Sequence, residues 1–407
     1  MPKVCFYFLL HQPYRLTNFA VTDLSDPRHE YFCQDCYDQN REVFQKVAQK
    51  SYRPMLSLLL DLVEKHPEFK FSFSCSGVFL EQAQAWGPEV IDLLVRLSKH
   101  RSQVEIVGEN YYHSLSALYS QKEFRAQVKQ HTSLMRELFD VKPVTFRNTE
   151  MIYNNYVGWQ VARLGFRGIL VEGVDRLMQG RPKTQIYRAN CDLALPMLLK
   201  HAQLSDDIAF RFSQKSWSQW PLTSEKYLSW LHDYRDEETI NLFMDFETFG
   251  EHQWESTGIF PFFARLVETG CQDAHIQFTT PREQLSPKRF TTKKDWSAWV
   301  KTLPIYNVDD PISWADEDRD LSAWRANDFQ YDTLQKIYEL EAKVKAKKDP
   351  RLLADWRRLQ TSDHFYYMCT KYFADGDVHA YFSAYDSPYE AYRRYCIVLA
   401  DLQERCQ

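Results

Sequence analysis

Two short segments carry acidic side chains where a hydrophobic, strand-like run ends. Residues 146–155 (FRNTEMIYNN) contain Glu150, and residues 243–254 (FMDFETFGEHQW) contain Asp245 and Glu247. A buried strand gains nothing from an acid at its end, because desolvating an unpaired charge is costly. In a barrel of alternating strands and helices, the carboxyl ends of the strands form the rim where catalytic groups lie. Two acids from two strand ends are the groups that cleave glycosidic bonds.

Other polar residues follow predicted strands and are expected at the same rim. His11 lies in the HQP that follows the first strand, and the segment VEIVGENYYHS places Glu105, Glu109 and His113 at or near the end of the third. Glu105 lies within its strand, so it either points to the site or makes a buried pair. The structural alternative is that Glu150 and Asp245 are ion-pair partners of neighbouring Arg or His side chains.

Metal-binding patterns are weak in this sequence. Motifs of the HExxH type are missing, and His252 beside Glu251 on a loop is poor ligand geometry. Cys33 and Cys36 form a CxxC with no second pair at matching spacing, so no zinc site is predicted. We therefore expect no metal and no cofactor, and a metal-dependent carbohydrate deacetylase on a similar barrel is a remote alternative.

The composition restricts the class of protein. A net charge of −5 over 407 residues provides no basic patch, so nucleic acid is not an expected partner. No apolar stretch is long enough to span a membrane, and the run Val4 to Leu10 reads as a first strand rather than an export signal. The 9 cysteines show no paired framework, which indicates reduced thiols and a cytoplasmic location.

Aromatic residues make up 15% of the chain, and sugar rings pack their C–H faces on aromatic platforms. Most of these side chains are expected to fill the core. The tryptophans expected to form sugar subsites are Trp217, Trp220, Trp254, Trp314 and Trp324.

Apolar runs alternate with amphipathic helical segments up to about residue 285. This alternation predicts a parallel sheet covered by helices, arranged as a (β/α) barrel that is distorted or one unit short. A nucleotide-binding open sheet is not favoured, because no GxGxxG motif is present. The predicted strands are 4–11, 69–75, 104–108, 143–150, 168–172, 209–212, 240–247 and 276–280.

The character of the chain changes after about residue 290. Strand-like runs stop, and helices are predicted at 332–348, 349–360, 365–373 and 389–405. We therefore divide the chain into a barrel, 1–288, and a helical domain, 289–407, that contributes to the substrate cleft.

Five segments together resemble glycoside hydrolase family 57, which contains α-amylases and 4-α-glucanotransferases. They are HQP, VEIVGENYYH, FRNTEMIYNN, MDFETFGEHQW and ISWADEDRDLSAWRAN, in the family's order. The segments LSDDIAFRFS and LQTSDHFYYM make the α-amylase subgroup the nearest match. The resemblance implies a distorted (β/α)7 barrel followed by a C-terminal α-helical bundle, and a retaining mechanism.

The resemblance also implies roles for individual residues. Glu150 matches the nucleophile, and Asp245 matches the general acid/base. The residues that match or neighbour substrate-contacting positions are His11, Glu105, His113, His252, Trp254, Trp314, Asp320 and Trp324. The implied substrate is an α-glucan or maltooligosaccharide with α-1,4 bonds.

Three functions share these residues. Water as acceptor gives an α-amylase, and a sugar hydroxyl as acceptor gives a 4-α-glucanotransferase. An inactive glucan-binding protein would use the aromatic residues alone, which the intact Glu150 and Asp245 disfavour. The sequence does not choose between the first two, and it does not define the oligomeric state.

Overall fold

The computed structural model describes residues 2–24, 30–32, 39–286, 290–373 and 383–407. Its strands are β1 (Lys3–Leu10), β2 (Phe71–Cys75), β3 (Val104–Ile106), β4 (Thr145–Arg147), β5 (Gly168–Glu172), β6 (Tyr187–Ala189), β7 (Pro196–Lys200), β8 (Thr239–Asp245), β9 (Gln277–Phe278) and β10 (Ile305–Tyr306).

The helices are α1 (Gln39–Val47), α2 (Arg53–Lys65), α3 (Gly77–Trp86), α4 (Pro88–Ser98), α5 (Ser116–Tyr119), α6 (Gln121–Phe139), α7 (Asn155–Arg163), α8 (Asp175–Met178), α9 (Ala202–Ala209), α10 (Ser224–His232), α11 (Ile259–Gln272), α12 (Pro281–Leu285), α13 (Lys293–Thr302), α14 (Ser322–Arg325), α15 (Asp328–Glu339), α16 (Glu341–Lys347), α17 (Pro350–Arg358), α18 (Ser362–Tyr366) and α19 (Pro388–Arg405).

The main strands close into a distorted barrel. β3, β2, β1 and β8 form one parallel run, and β4, β5 and β7 form a second. The runs join at both edges: Gly108 N donates to Thr145 O at 2.8 Å, and His201 N donates to Asn241 O at 2.8 Å. The order β1-β2-β3-β4-β5-β7-β8 confirms the predicted distorted barrel of seven units. β6 pairs with β7 and β10 pairs with β6, so these two strands extend the sheet that contains the second run.

Near-continuous apolar strands suit this barrel because both of their faces are covered. Phe6 and Phe8 of β1 pack in the core shared with the surrounding helices, whereas Tyr7 and Leu9 lie in the cluster that fills the lumen. Leu9 is in register with Asp245 of β8. Registered residues of neighbouring parallel strands share a face, so Asp245 projects toward the lumen.

The C-terminal helices cover one part of the rim. Trp356 and Tyr395 belong to a single apolar cluster with Tyr14 and Tyr112, which follow β1 and β3 in the barrel. The helical region is therefore packed directly on the loops that carry the predicted site residues.

The structure corrects three expectations about elements. Residues 209–212 are the end of α9 and a turn, because the apolar Leu204 and Ile208 of that helix face the core. The strands β6 and β7 were not predicted, since Pro196 interrupts the apolar run that forms β7. β10 lies beyond residue 290 and pairs with β6.

The position of β10 also bears on the domain boundary. Tyr306, Val308 and Ile312 pack in the cluster around β4, β5 and β7. These three residues pack with the strands although they lie beyond the predicted boundary between residues 288 and 289.

Candidate active site

Asp245 is the last residue of β8 and faces the lumen at the rim. Its carboxyl is half-buried, and it makes no side-chain hydrogen bond within the described part of the chain. Burial and the negative charge of Glu150 raise the pKa of Asp245 to about 6. Such a carboxyl holds a proton in mildly acidic solution, as a general acid must.

Glu150 lies in the turn after β4, in an unusual backbone conformation. Its φ is 53° and that of Met151 is 50°, both in the left-handed region that non-glycine residues rarely occupy. Strain of this kind persists only where surrounding contacts enforce it, and it is common at active sites. The turn directs a side chain that is 19% exposed into the space near Asp245.

Three side chains bind the Glu150 carboxylate. Ser362 Oγ donates to Oε1 at 3.1 Å, and Trp314 Nε1 donates to Oε2 at 2.9 Å. His113 Nε2 lies 3.2 Å from Oε1. Burial raises the pKa of Glu150, but the hydrogen bond from His113 and the positive charge of Arg147 outweigh it, so its pKa falls below the usual value. Glu150 is therefore the ionised member of the pair.

His11 and His113 form a stacked pair beside Glu150, with ring centroids 3.9 Å apart. His11 Nδ1 lies 2.7 Å from Ser76 Oγ, and its Nε2 lies 3.0 Å from Asp363 Oδ2. Burial lowers the pKa of His113 to about 4. A neutral His113 with its proton on Nε2 can donate to Glu150.

Two further acids flank the lumen, both with raised pKa values. Burial raises the pKa of Glu109 to about 7, and burial with the charge of Asp245 raises the pKa of Glu247 to about 8. Tyr52 Oη donates to Glu247 Oε1 at 2.5 Å. These groups keep further negative charge away from Asp245 below neutral pH.

Arg147 supplies positive charge beneath these carboxyls. Its side chain is fully buried, and within the described residues none of its three guanidinium nitrogens has a hydrogen-bond partner. The guanidinium lies 4.5 Å from the centroid of the Trp314 ring. Lys200 Nζ also lies 5.5 Å from that centroid, and the Trp314 N–H is bound to Glu150, so the indole holds the carboxylate and is not the open platform expected of it.

The structure places some predicted site residues away from this centre. Glu105 lies within β3, where its carboxylate accepts hydrogen bonds from Thr145 Oγ1 and, at 2.6 Å, from Arg282 N. Of the two possibilities for Glu105, the structure therefore shows the buried, hydrogen-bonded one and not a substrate contact. Trp324 is 1% exposed inside the helical core, so it cannot stack on a sugar.

Other predicted residues lie on loops around the site. The Asp320 carboxylate accepts from Ser322 N at 2.8 Å, in the loop that also carries Trp314. His252 follows β8, and burial lowers its pKa to about 4, so it is neutral. Trp254 is 60% exposed, and Lys50 Nζ lies 5.7 Å from the centroid of its ring.

Sequence reasoning missed several residues of the site. Ser362 and Asp363 come from the helical region, more than two hundred residues after Glu150. Their segment, TSDHFYYM, was recognised as a family-like stretch, but nothing local marked these two side chains as partners of Glu150 and His11. Arg319 lies within ISWADEDRDLSAWRAN, and nothing in that segment marked it as a residue of the site.

The described ranges hold neither a metal-binding cluster nor a membrane-spanning helix. No three His, Cys, Asp or Glu side chains there are grouped so that they could hold a metal ion. None of the helices in those ranges combines the length and apolarity needed to cross a membrane. Cys33 and Cys36 lie outside the described residues.

Comparisons with known proteins place the chain among carbohydrate-active enzymes. The sequence pattern of the family described as "Glycosyl hydrolase family 57" matches residues 5–297. A Methanocaldococcus jannaschii protein named "Putative alpha-amylase" is 35% identical, and the alignment covers 98% of this chain and 84% of that protein.

A more distant relative matches part of the sequence, and a solved structure matches the fold. A 4-alpha-glucanotransferase of Thermococcus litoralis is 27% identical over 36% of this chain but only 21% of its own length. The crystal structure of a family 57 branching enzyme from Thermococcus kodakaraensis has a TM-score of 0.68 at 13% identity, over 99% of this chain and 90% of that one. This likeness shows a shared fold.

Proposed function

Since the chain belongs to glycosyl hydrolase family 57, we propose that it cleaves the α-1,4 bonds of α-glucans or maltooligosaccharides with retention of configuration. Glu150 is the nucleophile and Asp245 is the general acid/base. One observation carries these roles: the Glu150 carboxylate has three hydrogen-bonding partners and a lowered pKa, whereas the Asp245 carboxyl has no side-chain partner in the described residues and a pKa raised to about 6. A retaining glycosidase requires this division between its two acids.

The first step transfers the sugar to the protein. The Asp245 proton goes to the glycosidic oxygen while Glu150 attacks the anomeric carbon, so the C–O bond to the leaving sugar breaks as a bond to Glu150 forms. The transition state carries positive charge at the anomeric carbon, which the Glu150 carboxylate stabilises. Departure of a neutral sugar leaves Asp245 ionised.

The second step reverses these roles. Asp245 takes a proton from the acceptor, whose oxygen attacks the anomeric carbon and displaces Glu150. Two inversions restore the original configuration. With water as acceptor the enzyme is an α-amylase; with a sugar hydroxyl it is a 4-α-glucanotransferase, the activity in the name of the Thermococcus litoralis relative.

The first experiment incubates purified protein with maltoheptaose and sizes the products. Shorter sugars alone establish hydrolysis, whereas products both longer and shorter than the substrate establish transfer. Glu150→Gln should be inactive, and Glu225→Gln, on an exposed ion pair with Arg265, serves as the matched control.

A second readout tests the stereochemistry. NMR of freshly released sugar should show the α-anomer before mutarotation. A β-anomer would remove Glu150 from the nucleophile role, and no turnover of any α-glucan would overturn the proposed function.

We also propose a cytoplasmic location, which fits a role in glycogen or maltodextrin turnover. In the described ranges, all seven cysteines of the structure are free thiols, which supports a reducing compartment.

A further inference from the structure

The loop formed by residues 313–320, here called the Trp314 loop, contacts Glu150 through both backbone and side chain. Trp314 N donates to Glu150 O at 3.2 Å, and Trp314 Nε1 donates to Glu150 Oε2 at 2.9 Å. One residue thus supports the strained backbone of Glu150 and orients its carboxylate. The position of Trp314 must itself be fixed for this to work.

Arg319 fixes the Trp314 loop from within. Its Nη1 donates to Trp314 O, and its Nη2 pairs with Asp206 Oδ2 at 2.9 Å. The φ of Arg319 is 51°, a left-handed conformation that turns the side chain back toward Trp314.

The anchor for Arg319 is a buried group of charges at the ends of β5 and β7. Lys200 Nζ lies 3.0 Å from Asp206 Oδ1 and 3.7 Å from Glu172 Oε2. Arg319 Nη1 lies 3.8 Å from the same Glu172 oxygen. Two acids and two bases balance in charge, and the strands hold Glu172 and Lys200 rigidly in register.

We propose that Arg319 is a positioning residue for Glu150, acting through Trp314 and anchored by Asp206 and Glu172. The inference rests on the proposed function, because it assigns Arg319 to the orientation of the same nucleophile. Arg319 does not touch the substrate in this arrangement. It holds the indole N–H and backbone that hold the carboxylate.

The kinetic test compares Arg319→Ala, Arg319→Lys and Trp314→Phe with the double variant Trp314→Phe/Arg319→Ala. Because misplacing a reacting group costs on the order of 100-fold in rate, we expect Arg319→Ala to lower kcat by about 10- to 100-fold and to change KM little. Arg319→Lys should recover part of the loss. If Arg319 acts through Trp314, the loss in the double variant is smaller than the sum of the two single losses, because both changes affect the same indole N–H contact with Glu150.

Arg181→Ala is the matched control for a merely structural arginine. Arg181 Nε and Nη1 also bind backbone carbonyls, at 3.0 Å from Met178 O and 2.8 Å from Ile305 O, but outside the site. It should lower Tm without lowering kcat. The proposal would be overturned if Arg319→Ala lowered Tm without lowering kcat. It would also be overturned if the kcat losses of Arg319→Ala and Trp314→Phe were fully additive in the double variant.

A spectroscopic test does not depend on turnover. In protein labelled with 15N-tryptophan, the indole N–H resonance that disappears in Trp314→Phe should shift with pH as Glu150 titrates, and not in Glu150→Gln. Arg319→Ala should abolish the shift, whereas Arg181→Ala should keep it. An unchanged shift in Arg319→Ala contradicts the positioning role. If the wild type fails on maltoheptaose but shows this pattern, the proposed substrate is wrong and the positioning role stands.

Discussion

The ends of β4 and β8 hold their acids in opposite surroundings. After β4, Glu150 has left-handed backbone and is bound by side chains from three distant segments of the chain. At the end of β8, Asp245 has extended backbone, with φ −66° and ψ 143°. Its carboxyl has no side-chain hydrogen bond within the described residues and lies near the protonated Glu247.

The difference shows how one fold keeps one carboxyl charged and the other neutral. Donors stabilise an ionised oxygen, so burial with donors favours the carboxylate. Burial without donors favours the protonated acid, and the nearby charge of Glu150 strengthens the effect. Each prediction below removes one feature of this contrast.

The largest effect should follow from exchanging the acids for amides. Glu150→Gln removes the proposed nucleophile and should lower kcat on the order of 10⁴-fold or more for every substrate. Asp245→Asn removes the acid/base and should cost about 10² to 10⁴-fold. Only Asp245→Asn should be partly relieved by a substrate with a good leaving group, such as a maltosyl fluoride, which needs no proton. Equal relief of both variants would mean that the assigned roles are wrong.

Trp314→Phe should have the next largest effect. It keeps the ring over Arg147 but removes the N–H that donates to Glu150. A hydrogen bond to a charged group contributes about 1.5–3 kcal/mol, so kcat/KM should fall about tenfold or more. The acidic limb of the pH profile should move to higher pH, because losing the donor raises the pKa of Glu150. An acidic limb that stays in place would show that Trp314 does not bind the carboxylate during catalysis.

The pH profile should be bell-shaped, and Arg147 should set its position. Activity needs ionised Glu150, whose pKa lies below the usual value, and protonated Asp245, so it should fall as pH rises through about 6. The positive charge of Arg147 lowers both pKa values. Arg147→Met should therefore move both limbs of kcat/KM upward, by about one pH unit. Arg147→Lys keeps the charge and is the control; limbs that do not move in Arg147→Met would contradict this electrostatic role.

Glu247→Gln should have the smallest effect. With a pKa of about 8, Glu247 is neutral throughout the active range, and an amide can still accept the hydrogen bond from Tyr52. The basic limb set by Asp245 should therefore stay where it is. If Glu247 were ionised instead, its removal would lower the pKa of Asp245 and shift that limb to lower pH.

Much of the fold was predictable from local patterns. The runs that became β1, β2, β5 and β8 are apolar enough to be buried on both faces, and the C-terminal helices begin at clear signals such as Pro350 and Pro388. β6 and β10, of three and two residues, were missed because strands this short are stabilised by their neighbours rather than by their own pattern. β7 was missed because it begins at a proline, Pro196.

Only part of the candidate site was predictable from the sequence. Acids at strand ends pointed to Glu150 and Asp245 because burying them has no structural benefit. Glu105 and Trp324 were expected to contact substrate, yet one bonds to Thr145 and Arg282 and the other is buried among helices. Nothing in the local sequence distinguishes a side chain that faces the lumen from one that faces a neighbouring helix.

The sequence by itself pointed to the residues that we propose carry the chemistry: two acids placed after apolar strands, with histidines at the same rim. Only the tertiary structure decided which acid is charged, because a pKa depends on burial and on donors that come from anywhere in the chain. Ser362, Trp314 and His113 lie far apart in sequence and meet only when the barrel closes and the helices pack on its rim. Hydrogen bonds act over about 3 Å in space and do not depend on separation along the chain.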